Sequence, residues 1–421
     1  MQVKMKKIYS LIIVALALLS VTGCKEDDNF TESIFDTDIA VVDEKSDTAP
    51  FDQWLYDNFV QPYNTEIQYK FNYNASKMDY QLTPADYYKS QLLAHFVRYL
   101  FYDVYDKCGG ASFMRTYAPR ILHFIGSSAY SPTTGTETLG YASAGVKITI
   151  INVNSMKTVE AGMTFTSDDL AYLNEKIFHT MHHEFSHILH QNKSYPVAFS
   201  QITPDSYDGR TWQDRDSTDS HSLGFITQYG SSGAYEDFVE TLSCSITDTD
   251  GRWMNCLIDA TLNGGVKNGD KEQVYALIDS LGITNLDDPN QHWNNFSIYK
   301  ELEKNDETGA YEESGRYILD AHLTDAKTQA SAADRTTRYE LETSFTSFRD
   351  YLDNWVPISS TGESSGINAI LKKIETASKW YTETFDLHLF RVRAEVRYRQ
   401  EHINEYINSD QCVIYSLDKK N

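Results

Sequence analysis

Between residues 179 and 191 the chain reads His-Thr-Met-His-His-Glu-Phe-Ser-His-Ile-Leu-His-Gln. Within this stretch, His183 and His187 stand four positions apart, and Glu184 directly follows the first. Residues at i and i+4 lie one above the other on a helix, so the two imidazoles can converge on one tetrahedral Zn2+. Glu184 then projects beside the ion rather than at it, where a carboxylate can take a proton from a metal-bound water. The chemistry this pattern suits is hydrolysis by metal-activated water. His179 shares the same spacing to His183, but Thr180 stands where the base would be. His182 faces another side of the helix and His190 follows His187 by three, so these three histidines are expected at the surface or behind the ligands.

A site of this kind needs a third protein donor. One arrangement continues the motif with Gly and His at fixed offsets; here those offsets hold His190 and Lys193, which excludes it. The other draws a glutamate from a later helix. Downstream stands Tyr229-Gly230-Ser231-Ser232-Gly233-Ala234-Tyr235-Glu236-Asp237-Phe238-Val239-Glu240, in which Glu236 and Glu240 share one helical face. Phe238, Val239 and Leu242 make that helix amphipathic. Glu236 is therefore the candidate third metal ligand. Glu240, one turn on, is the candidate acceptor that fixes the tautomer of a ligand imidazole.

The elements that position these residues can be read from periodicity and caps. Thr166 or Ser167, with Asp168 and Asp169 in the first turn, opens a helix that continues to about Gln191. A second helix is expected over Tyr235–Ile246, after a long polar loop at 192–222. Upstream, Phe51–Val60 reads as a short helix, and Ile67, Tyr69, Phe71 and Tyr73 alternate as a half-buried strand does. Thr83-Pro84-Ala85-Asp86 supplies a cap and a first-turn proline for a helix reaching about Lys107 and stopping at Gly109-Gly110. Ile121–Ile125 and Val146–Val153 are strand candidates; Gly140 and Gly145 beside the second suggest a position near a sheet edge, where an extended peptide could pair. Beyond residue 260, segments 271–281, 297–304, 333–355, 367–381 and 385–407 carry helical spacing. The expectation is an α+β fold, with a small mixed sheet and an active-site helix over 51–262 and a mainly helical C-terminal region, 263–421, packed on it.

The 421 residues leave ample material for a core. Lys plus Arg number 37 against 60 Asp plus Glu, a net charge of −23 that repels a phosphate backbone and argues against nucleic acid as a partner. Lys4, Lys6 and Lys7 precede an apolar run, Ile8–Leu19, too short to cross a bilayer as a helix, followed by Val21-Thr22-Gly23-Cys24. Residues 1–23 thus read as a secretion signal. The small residues ending in cysteine resemble the lipobox of bacterial lipoproteins, which makes Cys24 the expected lipidated first residue and lipid the only expected membrane contact. Residues 24–50 read as an acidic tether. Lys25-Glu26-Asp27-Asp28 resembles the short acidic surface-export signal of lipoproteins in Bacteroides-like bacteria. Cys108, Cys244, Cys256 and Cys412 are expected as core thiols or to include one Cys244/Cys256 bridge.

Taken together, these segments resemble known families. The motif followed by Tyr229, Glu236 and Glu240 is similar to zincin peptidases with a glutamate third ligand, and the Tyr229–Glu240 stretch resembles its counterpart in the catalytic domain of anthrax lethal factor. More closely, the chain resembles the zinc metallopeptidase lipoproteins found beside outer-membrane nutrient-import systems in Bacteroides-like bacteria. The lipobox, Tyr80-Gln81-Leu82-Thr83-Pro84, Ala118-Pro119-Arg120-Ile121, His183-Glu184-Phe185-Ser186-His187, Gly224-Phe225-Ile226-Thr227-Gln228-Tyr229 and Glu236-Asp237-Phe238-Val239-Glu240 stand in that family's order. The resemblance covers residues 1 to about 260 and returns over 366–400. It implies a zincin-like fold, bound zinc, hydrolysis of peptide bonds in protein or glycoprotein nutrients, and association with an outer-membrane import complex at the cell surface. It also places Tyr229 where its hydroxyl could hydrogen-bond a developing oxyanion. The alternative is a non-catalytic surface lipoprotein that binds nutrient or partner and keeps a structural or vestigial metal site.

Overall fold

A computed structural model of the chain describes residues 42–72, 81–130, 137–138, 140–143, 146–157, 162–248, 252–253, 256, 259–260, 291–304, 311–325 and 366–417. The secretion signal, Cys24 and most of the acidic tether lie outside the described residues, as do the expected helices at 271–281 and 333–355. The chain divides into Met1–Glu44 and Lys45–Asn421, and the described helices and strands belong to the second unit. No helix among the described residues is long and apolar enough to cross a membrane.

Four strands form the central sheet: β1 (Glu66–Gln68), β2 (Ile121–Phe124), and, beyond the small hairpin of β3 (Ala129–Tyr130) with β4 (Glu137–Thr138), β5 (Gly140–Ser143) and β6 (Lys147–Ile150). Their order is β1-β2-β6-β5, with β1, β2 and β6 parallel and β5 antiparallel to β6. The β6 strand therefore lies inside the sheet, not at its edge as its glycine flanks suggest. The Gly140–Ser143 segment, which those flanks disguise as a turn, folds back and covers it. Burial on both faces fits this interior place: Leu122, Phe124, Ile148 and Ile150 are buried, and so are His123 and Thr149.

Helix α1 runs Ala49–Leu55 and, through a π-type turn at Tyr56–Val60, into Gln61–Tyr63. Helix α2 runs Tyr87–Val97 and continues through Arg98–Tyr102 into Asp103–Gly109. Its cap is Asp86, whose carboxylate accepts from the backbone N–H groups of Tyr88 and Lys89 at 3.0 Å each. Thr83-Pro84 does not open the helix: Pro84 bridges to Ile125 and the Thr83 carbonyl accepts from Gly126 N–H at 2.9 Å, so pairing with the end of β2 holds these residues extended. Helix α3 (Ala111–Tyr117) leads back to β2.

The long helix α4 runs Ser167–Tyr172, through a π-type turn at Leu173–Phe178, into His179–Asn192. Thr166 and Asp169 cap it reciprocally, side chain to backbone. The π turn falls immediately before the histidine-rich segment, a placement that such turns often have near functional sites. The polar stretch 192–222 is not all loop: Asp216 caps helix α5 (Ser217–Ser222) through the N–H of Asp219 at 2.7 Å. Helix α6 (Ala234–Thr247) packs closely along α4.

The C-terminal part is not wholly helical. Residues 297–304, expected as helix, belong to β7 (Gln291–Lys304), which pairs antiparallel with β8 (Tyr311–Asp325). Phe296, Ile298 and Leu302 fit a period of two as well as a period near four, and the aromatic and β-branched residues favour the strand. Helices α7 (Gly366–Phe385), α8 (Leu389–Glu401) and α9 (Ile403–Ile407) follow. Their buried residues, including Trp380, Tyr381, Leu389 and Val392, share one apolar core with Phe51, Phe96, Phe101, Phe185 and Leu242.

Helices α7 and α8 also anchor α6 at both ends. Arg393 donates to the Ser245 carbonyl at 3.0 Å and Arg397 to that of Thr247 at 3.1 Å, so two buried cations satisfy the last carbonyls of α6. At the other end, Lys373 Nζ lies 2.7 Å from the Asp237 carboxylate and donates to the Gly224 carbonyl at 2.7 Å. Gly224 has φ +88, and a Cβ there would lie 2.5 Å from Ala369 on α7; only glycine allows this approach.

Candidate metal centre

The central donors come from two helices. On α4, the four-residue spacing stacks His183 over His187, their ring centroids 4.8 Å apart. On α6, Glu236 stands in the first turn and faces them. Its Oε2 lies 3.3 Å from His183 Nε2 and 3.3 Å from His187 Nε2. That oxygen is buried and makes no hydrogen bond of acceptable geometry. A buried carboxylate oxygen so placed is expensive unless something binds it. The edge of a tetrahedron built on Zn–N and Zn–O bonds is about 3.3 Å, so the donor set fits a zinc ion.

Each imidazole has a partner behind it. His183 Nδ1 donates to Glu240 Oε1 at 2.6 Å, leaving Nε2 to face Glu236. Thr227 holds the other Glu240 oxygen at 2.6 Å. His187 Nδ1 lies 2.9 Å from His190 Nε2. Burial, followed by the neighbouring His187, lowers His190 to about 4, so its ring is neutral and accepts. Hydrogen bonds of this kind orient metal-binding histidines and raise their basicity. His190 thus takes the second of the two places expected for it, behind a ligand rather than at the surface, as its i+3 spacing to His187 allows. Thr227 carried no signal. His182, by contrast, is a core residue: fully buried against the rings of Phe101 and Tyr105, its Nδ1 accepts from the Tyr105 hydroxyl at 3.0 Å, and burial lowers it to about 3.

Glu184 is 8% exposed and close enough for its charge to bear on both His183 and Tyr229. Tyr229 stands at the start of a 3-10 turn, Tyr229–Ser232, and is partly exposed at 39%. Its ring centroid is 5.9 Å from that of His183 and 5.1 Å from that of Trp212. Burial and then the charge of Glu236 push its phenol well above its ordinary value, so it remains a hydrogen-bond donor across the physiological range. The structure thus brings His183, His187, Glu236, Glu240, Glu184 and Tyr229 together. All four described cysteines are free, and Cys244 and Cys256 are buried thiols rather than a bridge.

Electrostatics prepare the pair for a cation. Burial disfavours a charged His183, but Glu236 and Glu240 overcome it and raise the ring to about 10. Burial would raise Glu236, yet the two imidazoles hold it down to about 2. A proton thus occupies the metal-free site, and an incoming metal must displace it. Zinc affinity will therefore rise by about tenfold per pH unit between pH 6 and 8, as expected for one displaced proton. Calorimetry in buffers of different ionisation enthalpy should detect release of close to one proton for the zinc bound by His183, His187 and Glu236; affinity independent of pH would contradict the arrangement.

Residues 44–280, more than half of the chain, match the family model described as "Putative zinc-binding metallo-peptidase". The chain belongs to this family. The family is zinc-binding by description, and zinc is the cofactor that the donor set accommodates. A solved structure with the same description, from Bacteroides caccae ATCC 43185, is similar over 89% of this chain and 98% of its own, with a TM-score of 0.52 and 24% identity. That likeness speaks to the fold, an α+β arrangement of helices around a small, largely parallel sheet. No curated protein matches the chain.

Proposed function

We propose that this member of the zinc-binding metallopeptidase family cleaves peptide bonds in protein or glycoprotein nutrients as a surface lipoprotein. The observation that carries the peptidase reading is the Glu236 oxygen set equally between two imidazole nitrogens. His183, His187 and Glu236 would hold the metal. When bound, zinc supplies Lewis-acid activation of water and of the scissile carbonyl. Glu184 accepts the proton that the attacking water loses and returns it to the departing amine. Tyr229, kept protonated by burial and by Glu236, donates to the oxygen on which negative charge develops. Glu240 and His190 hold the two rings in the tautomers that point Nε2 inward.

Substrate would lie extended along the sheet. With β6 interior, a peptide would add at the outer edge of β5, the terminal strand that packs against α4. Cys24 would carry the lipid, the acidic tether would hold the catalytic unit off the outer membrane, and an import complex would take up the products. The lipobox and the acidic stretch after it support this address.

The test is digestion of a peptide library by the full chain. Cleavage is expected to stop on removal of zinc by a chelator and to return on adding zinc back. Cleavage that persists in metal-free protein would refute the metal-dependent reading.

A further inference from the structure

The two helices that build the metal centre repeat their pattern one turn further on. On α4, His179, His183 and His187 follow at intervals of four; on α6, Glu236, Glu240 and Cys244 do the same. The contacts pair in opposite order. Glu236 faces His183 and His187, Glu240 reaches His183 and His179, and Cys244 reaches His179. The helices therefore run antiparallel and present a ladder of donors, of which His183, His187 and Glu236 make up only one rung.

We propose that His179, Glu240 and Cys244 form a second metal site for a thiophilic divalent ion such as Zn2+. His179 Nε2 lies 3.1 Å from Glu240 Oε1 and 3.6 Å from Cys244 Sγ, and one donor atom from each of the three falls within 4.8 Å of the others. Tetrahedral zinc with Zn–N and Zn–S bonds has N–O and N–S edges of about 3.3 and 3.5 Å. A thiolate with an imidazole selects zinc and its neighbours over magnesium or calcium. One carboxylate, one thiolate and a neutral imidazole also balance a dication. Cys244 is a buried free thiol with no disulfide role. The His179 side chain is 22% exposed, so an ion can reach the site from solvent.

The shared residue gives this site a consequence. Glu240 Oε1 receives the His183 Nδ1 proton at 2.6 Å and is also the oxygen nearest His179. A metal on the second rung would therefore fix the carboxylate that orients His183. The second rung is a positioning site for the first, and its occupancy does not depend on whether the protein is a peptidase.

Metal analysis and cobalt substitution of the full chain test the proposal. Wild type should bind two equivalents of Co2+ and show sulfur-to-cobalt charge-transfer absorption in the near ultraviolet. Cys244→Ala should bind one equivalent and lose that absorption, whereas His187→Ala should weaken the first rung and keep it. Should Cys244→Ala fail to fold, X-ray absorption of the wild-type zinc protein replaces it, with a sulfur neighbour expected at about 2.3 Å. One equivalent without a sulfur ligand would overturn the second rung and leave the first standing. Charge-transfer absorption that survives Cys244→Ala would overturn it too, since another cysteine would then be responsible. Loss of all binding in His187→Ala, with one equivalent in wild type, would overturn it as well, leaving His179 and Glu240 as an ion pair and Cys244 as a bystander.

Discussion

Replacing Glu184 by Gln will lower peptide hydrolysis by about 10²- to 10⁴-fold while zinc stays bound, because the amide keeps the size of the side chain but cannot accept a proton. Glu184 lies outside the donor set of His183, His187 and Glu236, so metal content should equal that of wild type. The two readouts together discriminate. Loss of cleavage with loss of zinc would make Glu184 a ligand or a structural support, and cleavage that survives the substitution would refute its role as base. No cleavage by either protein, with zinc bound to both, would favour a binding lipoprotein over a peptidase.

Lys373→Met will destabilise the protein by about 3–5 kcal/mol, the usual consequence of stripping one partner from a buried ion pair. Both side chains are almost wholly inaccessible, at 0% for Lys373 and 1% for Asp237. Asp237 is also held by the Tyr207 hydroxyl at 2.7 Å, and Lys373 sits 3.9 Å from the Phe225 ring centroid. Without the ammonium, a buried carboxylate remains next to Glu236. The double variant Asp237→Asn, Lys373→Met removes both charges and should recover much of the loss, since a buried pair contributes little net stability over neutral side chains. Denaturant melts of the two variants check this; a double variant as unstable as the sum of the single losses would place the effect in packing instead. Zinc affinity should fall with Lys373→Met as well, because Asp237 fixes the turn of α6 that carries Glu236.

The chemistry was more legible in the sequence than the frame around it. Helical spacing alone stacks His183 on His187, and amphipathicity alone turns Glu236 and Glu240 to one side of α6; both are local properties of the backbone. The pairings that complete the site are tertiary. Nothing near Asp237 in the chain announces that Lys373 will lie against it, and nothing near Gly140 announces a strand that covers β6. The helix start at Asp86 rather than Thr83 has the same origin: local signals permit both, and the bridge from Pro84 to Ile125 decides. Where period two and period near four coincide, as over residues 297–304, composition is the better guide. The histidines show the same limit on a single helix. His182 and His190 look alike in sequence, yet one fills the core against Phe101 and Tyr105 while the other backs a candidate ligand.

Hydrolysis, the pH dependence of zinc binding and the roles of Glu184 and Tyr229 all require one ion gripped by His183, His187 and Glu236. Crystals of the zinc-loaded protein, measured on both sides of the zinc absorption edge, test this grip most directly. An anomalous peak is expected about 2.0–2.2 Å from His183 Nε2, His187 Nε2 and a Glu236 oxygen, whether or not a second peak stands beside Cys244. A peak that lacks Glu236 among its neighbours, or zinc bound only elsewhere, would contradict it.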